Sequence, residues 1–258
     1  MKTVRKEGFT LVELLVVIGI LGILSAALYP AITSAVMSAN MTAVGARGKD
    51  IYVGIVAANT EREPLGLGNI WPKTQQEAGA GNSGGGDQDI ADMVFSDAVK
   101  YFKEVYDEDK VGTKDWSPYI AGFDYSKLAG AGVKTPPGKN LQADNCMWCV
   151  GANVRDEMED IIPILVTRNV DCSELLSKYG GQDKTTKLKL GEGNYKTPFS
   201  NKAFVMIQKG GGIHKASSKY ATLYVIYKGQ TFDLNAGGGN TITLEYLNPS
   251  GKSTPKQG

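Results

Sequence analysis

Apolar side chains run almost unbroken from Phe9 to Tyr29, 21 residues interrupted by a single charge at Glu13. At about 1.5 Å rise per residue, a helix of that length crosses the roughly 30 Å hydrocarbon core of a bilayer. Beyond Pro30 the pattern thins but does not stop. Ile32, Val36, Ala39, Ala43 and Ala46, then Ile51, Ile55 and Ala58, recur in steps of three and four and lie mostly along one helical stripe. Because the stripe resumes at once, Pro30 is expected to kink or loosen the helix rather than end it. The pattern predicts one long helix from Phe9 to Thr60, with a membrane half at 9–29, a second half at 30–60 that packs on the head, and a head at 61–258.

Within the head, residues 61–88 hold Pro64, Pro72 and the run Gly79 to Gly86, which reads as an open loop. Asp89 to Tyr106 has Ile90, Met93, Val94, Ala98, Tyr101, Phe102 and Val105 at helical spacing, with Asp89 placed to cap the first turn, and predicts an amphipathic helix. Residues 107–145, with Pro118, Pro136 and Pro137, read as ordered loops. An apolar piece follows at Cys146 to Val150. The β-branched run Ile161 to Thr167 carries Pro163, which suits an edge or a strand's beginning. Asp171 to Glu174 resembles a capping box for a short helix ending near Gly180. Strands are predicted at Ala203 to Gln208, Tyr220 to Tyr227, Gln230 to Leu234 and Thr241 to Leu247, and Pro249 to Gly258 reads as frayed. An N-terminal helix laid on a C-terminal antiparallel sheet is an α+β architecture.

Glu13 decides what the apolar run is for. A cleaved secretory signal has 7–15 apolar residues and no carboxylate in its first turns, and a carboxylate facing lipid costs roughly 2.5–3.5 kcal/mol. A plain anchor or a buried core helix accommodates it no better, so Glu13 calls for a partner. Gly8-Phe9-Thr10-Leu11-Val12-Glu13, behind the basic opening Lys2, Arg5 and Lys6, resembles the processing site of type IV pilins and of the pseudopilins of type II secretion. Pro30 also matches a proline common in that family at this distance. The resemblance covers the first thirty residues. It implies cleavage after Gly8 by prepilin peptidase, methylation of the new N-terminal Phe9, and pairing of Glu13 with a neighbouring subunit's N-terminal amine. It further implies a single-pass bacterial inner-membrane precursor that the assembly machinery builds, with other copies or other pilins, into a periplasmic or cell-surface filament. The alternative function is a minor pilin acting as an adhesin or DNA receptor on the same anchor.

Charge placement sets the orientation. Lys2, Arg5 and Lys6 precede the span and no charge follows it until Arg47, so the leader 1–8 stays cytoplasmic and the head is exported. The net charge of +1 conceals an asymmetry: 17 acidic against 9 basic residues from Asp87 to Glu174, a net −8, and 12 basic against 4 acidic from Lys178 onward, a net +8. Such halves are ordinarily solvated surface and can also complement each other between stacked subunits. Export places Cys146, Cys149 and Cys172 where disulfides persist, and one pair with one thiol left over is expected. A bridge from Cys172 to one of the close pair closes the longer loop and constrains the unfolded chain more.

Other chemistry finds little support. His214, the only histidine, sits after Gly210-Gly211-Gly212 in what reads as a flexible hairpin loop, and no Gly-x-Ser-x-Gly elbow accompanies it. Gly251-Lys252-Ser253-Thr254 lacks the first glycine of a phosphate loop, since Tyr246 stands there. Cys146-Met147-Trp148-Cys149 has zinc-ligand spacing, but only Cys172 remains to complete a site. Asp87, Asp89 and Asp92, or Asp156, Glu157, Glu159 and Asp160, could hold calcium, yet neither set fits an EF-hand loop. Tyr220, Tyr224, Tyr227 and Phe232 among lysines could stack on nucleic acid, but alternating aromatics in strands are more often core. No enzyme activity and no cofactor are expected.

Overall fold

The computed structural model describes residues 10–74, 89–107, 141–156, 158–176, 182, 184–185, 187–191, 198–230, 243–249 and 251–253. The chain divides into two compact units, Met1–Asn40 and Met41–Gly258, and helix α1 (Leu11–Arg62) contributes turns to both. In the first unit α1 runs through Pro30 without ending. Proline cannot donate to the carbonyl four residues back. In the turn that follows, Thr33 Oγ1 donates to the Pro30 carbonyl at 2.9 Å and Ser34 Oγ to the Ala31 carbonyl at 2.9 Å.

The second unit is built on one six-stranded sheet of β1 (Trp148–Ala152), β2 (Pro163–Thr167), β3 (Ala203–Gln208), β4 (Ile213–Ser217), β5 (Glu245–Asn248) and β6 (Gly251–Ser253). The order is β4, β3, β2, β1, β5, β6, and every neighbouring pair is antiparallel. With the N-terminal helix this is an α+β fold. Strands β1 and β2 are buried at every position because both faces of the sheet are covered, which is why they read as continuous apolar runs. Pro163 opens β2, a central strand, at the position where a missing N–H is tolerated, and the β2–β3 register shifts between Pro163 and Leu165.

One face of the sheet receives the last turns of α1 through glycines. A Cβ at Gly48 would stand 2.6 Å from the Trp148 ring and 2.9 Å from Ile207, and one at Gly45 would stand 2.9 Å from Ile213. The buried stripe of α1 in this unit is therefore Val44, Gly45, Gly48, Ile51, Ile55, Ala58 and Arg62. Ile51, Ile55 and Ala58 fall where the periodicity puts them, whereas Ala43 and Ala46 are exposed because close approach selects the glycines instead. Lys49 Nζ donates to the Gly211 carbonyl at 2.7 Å and Tyr52 Oη to the Lys209 carbonyl at 2.7 Å, tying the β3–β4 turn to the helix. Gly211 holds φ +77° there, a conformation that side chains disfavour. The other face, on alternate residues, carries Cys149, Ile164, Val166, Phe204, Met206 and Tyr246 in a second core with Cys172, Leu175, Ile226 and Tyr227.

Several elements differ from the sequence pattern. The segment from Asp89 is two pieces: a 3-10 turn, Ile90–Asp92, capped by Asp89, and helix α2 (Ala98–Asp107), whose Lys100 N–H donates to Asp97 Oδ1 at 2.9 Å. Between them Phe95 N–H donates to the Lys73 carbonyl at 2.8 Å, and that long-range pairing interrupts the helix. Tyr220 to Tyr227 is not a strand. Thr222 caps helix α3 (Leu223–Tyr227), which buries Leu223, Ile226 and Tyr227 at helical spacing; a five-residue apolar run satisfies either period. Asp171 holds Ser173, but Glu174 accepts from Lys189 N–H at 2.9 Å instead of closing a capping box; a 3-10 turn, Glu174–Leu176, follows, and residues 177–180 of the expected helix lie outside the described residues. Strand β4 is half-exposed and polar, without an apolar signal. Strand β6 lies in the segment that reads as frayed. Residues 231–234 of the expected strand at Gln230 to Leu234 fall outside the described residues.

Candidate functional site

The start of α1 is a locally complete structure. Thr10 is the residue before the first helical turn and Glu13 the third residue inside it. Thr10 N–H and Thr10 Oγ1 both donate to Glu13 Oε2, at 2.9 and 2.8 Å, while Glu13 N–H donates to Thr10 Oγ1 at 3.2 Å. This reciprocal pairing is a capping box, and it also places a carboxylate at the positive end of the helix dipole. Glu13 thus has an intrahelical partner, Thr10, which sequence reasoning missed although Thr-x-x-Glu before an apolar run is a readable signal. Gly8 and Phe9 lie outside the described residues. From Leu11 to Leu28 the apolar side chains are exposed along the helix, among them Leu15, Ile18, Leu21 and Leu24. By length and composition this helix can cross a membrane.

In the head, Cys146, Cys149 and Cys172 are buried free thiols. Cys149 Sγ donates to Asn248 Oδ1 at 3.0 Å, Cys172 Sγ to the Val170 carbonyl at 3.7 Å and Cys146 Sγ to the Trp148 carbonyl at 3.5 Å. Burial pushes the Cys146 thiol up to about 12 and Cys149 well above its ordinary value. Beside Cys172 a polar cleft of about 160 Å³ is lined by Arg168, Asn169, Asp171, Lys189 and Asn248. Arg168 is 6 % exposed and its Nη1 donates to the Ala143 and Asp144 carbonyls at 3.0 and 2.8 Å.

Several of the remaining candidates have roles in the fold. His214 is in strand β4 opposite Met206, not in a loop; its ring packs 5.9 Å from Phe204, and burial together with Lys228 lowers its pKa. Asp89 pairs with Arg62 and caps the turn at Ala91, and Asp160 lies 3.6 Å from Lys209 Nζ. Asp87 and Glu157 lie outside the described residues, and among the described residues no group of three or more His, Cys, Asp or Glu gathers that could hold a metal. Tyr227 is core and donates to the Leu175 carbonyl at 2.7 Å, while Tyr220 and Tyr224 carry Lys219 and Lys184 over their rings. Phe232 is outside the described residues.

Residues 4–29 match the family model described as the prokaryotic N-terminal methylation motif. No curated protein and no solved structure matches the chain. The motif supports the resemblance to type IV pilins and pseudopilins, a precursor of that kind, and a structural protein in place of an enzyme. Such a motif implies processing by prepilin peptidase, and the apolar helix that bears it is consistent with a membrane-anchored precursor.

Proposed function

We propose, from the methylation motif at residues 4–29, that the chain is a structural subunit of a type IV pilus-like or type II secretion pseudopilus filament. Prepilin peptidase removes 1–8, Phe9 becomes the methylated N-terminus, and residues 9–29 hold the precursor in the inner membrane with the head outside. Copies of this chain, or of other pilins, then associate through α1, driven by inner-membrane machinery. The role is mechanical, without turnover.

The observation that carries this reading is the apolar surface from Leu11 to Leu28, exposed in the chain and joined directly to a processing motif. In water such a surface is untenable at about 25 cal/mol per Å² of exposed apolar area. Lipid satisfies it in the precursor, and the same surface on a neighbour satisfies it in a filament. Glu13 is the one charge in that surface. Held by Thr10, its carboxylate stays at the helix start, where it can meet the amine of an adjacent Phe9 in a medium that screens charge weakly.

The test is the intact mass of protein recovered from cells that carry prepilin peptidase. The expected chain begins at Phe9 and is one methyl group heavier than its sequence. A chain retaining Met1 to Gly8, or cut beyond Ala27 as a secretory signal is, overturns the assignment.

A further inference from the structure

Cys149 stands in the centre of the sheet and Cys172 in the turn beyond β2, both 1 % exposed and both in the core cluster on the face away from Gly48. Strand alternation brings them together: Cys149 points to the same face as Val166, its partner across the β1–β2 ladder, and the chain returns over that face through Val170 to Cys172. Asn248, which accepts from Cys149 Sγ at 3.0 Å, lines the same cleft as Cys172. Cys146 lies outside that cluster. Of the three pairings open to three cysteines, only Cys149 with Cys172 has both members in that cluster.

We infer that Cys149 and Cys172 are the disulfide pair of the exported head and that Cys146 is its free thiol. The inference rests on the proposed export for its oxidising surroundings, but the pairing follows from the fold. The polar cleft is the route for the oxidant, a disulfide-bearing thiol carrier, because Cys172 lines it while Cys149 lies behind, donating to Asn248. The Cys172 thiolate attacks one sulfur of the carrier's disulfide, forming a mixed disulfide and releasing a carrier thiolate. The Cys149 thiolate then attacks Cys172 Sγ, releasing the second carrier thiolate. Two protein thiols lose two protons and two electrons, and the carrier's disulfide is reduced to two thiols. Arg168, which lines the cleft, favours the thiolate at Cys149 against the burial that disfavours it. Closing just over twenty residues of chain constrains the unfolded state, while the hydrogen bond from Cys149 to Asn248 is given up.

The full chain, purified reduced in detergent, is incubated with excess oxidised glutathione at mildly alkaline pH, alkylated, and mapped without reduction. The expected product is a Cys149–Cys172 linked peptide with Cys146 alkylated. The oxidised protein should melt about 6–12 °C above the same protein after reductant, and Cys146→Ser should keep both the link and the shift. A bridge containing Cys146 as the main product, or three thiols still free, overturns the pairing. A parallel sample of spheroplasts, in which the periplasmic face of the inner membrane is open to added protease, separates the two claims. A head accessible to protease with Cys149 and Cys172 both reduced sinks the disulfide and leaves the filament reading intact. A head protected from protease refutes export, and the pairing then stands or falls on the purified protein.

Discussion

Gly48→Ala tests how the second half of α1 meets the sheet. On an exposed helix this substitution stabilises by about 0.8–1 kcal/mol, because alanine loses less backbone freedom than glycine. Here the new Cβ would stand 2.6 and 2.9 Å from two atoms of the Trp148 ring and 2.9 Å from Ile207 Cγ1. Carbon atoms prefer about 3.5–4.0 Å, so the overlap is close to an ångström. Trp148 is fully buried at the start of a central strand, paired with Thr167 on β2, and cannot withdraw. Overpacking costs about 1–3 kcal/mol, and an overlap this large against a buried ring belongs in the upper part of that range, about 2–3 kcal/mol, which outweighs the propensity gain and leaves a net loss of about 1–2 kcal/mol. For a domain of this size that is a fall in melting temperature of about 2–8 °C. Thermal unfolding of the full chain in detergent, followed by tryptophan fluorescence, measures it. Ala57→Gly, at an exposed position of the same helix, serves as the reference and should lose about 1 kcal/mol through propensity alone. An unchanged or raised melting temperature for Gly48→Ala would refute the claim that glycine is there for close approach.

Glu13→Leu should insert and be cleaved normally yet yield few or disordered filaments when expressed beside its native assembly machinery, whereas Thr10→Ala, which removes only the cap, should reduce filaments less; normal filament numbers for Glu13→Leu in electron micrographs would remove the assembly role. The head should lose stability as pH falls below about 6.5, because the folded state holds His214 neutral while the unfolded chain takes up a proton there. The folded pKa is depressed, so the stabilisation is complete above the unfolded value and lost as pH falls through the folded one. Chemical denaturation between pH 5 and 8 should show that slope, and His214→Gln should flatten it; an equal slope in the variant assigns the pH dependence elsewhere.

The apolar half of α1 is legible in the sequence because its determinants are local. An unbroken apolar run, a Thr-x-x-Glu start and a basic leader act within a few turns of one another, and the helix they specify needs no distant partner to form. Ile164, Val166 and the Ala203 to Gln208 run were readable for a related reason: strands buried on both faces carry their β-branched and apolar residues wherever they pair.

What only the tertiary structure decided depends on residues far apart in the chain. Glycine at 45 and 48 carries no hydrophobic signal, so the seat of α1 became visible only with Trp148, Ile207 and Ile213 opposite. Leu223 to Tyr227 could satisfy a period of two or of 3.6, and the core containing Cys172, Leu175 and Tyr246 selected the helix. Strand β4 is polar because it is an edge, and backbone pairing with β3, not side-chain pattern, makes it a strand. The cysteines belong with these. Loop length favours a bridge from Cys172 but leaves open which of Cys146 and Cys149 joins it; alternation along β1 and the path of the chain beyond β2 place Cys149, and not Cys146, in one buried cluster with Cys172, because a folded sheet sets neighbours by face and register and not by distance along the sequence.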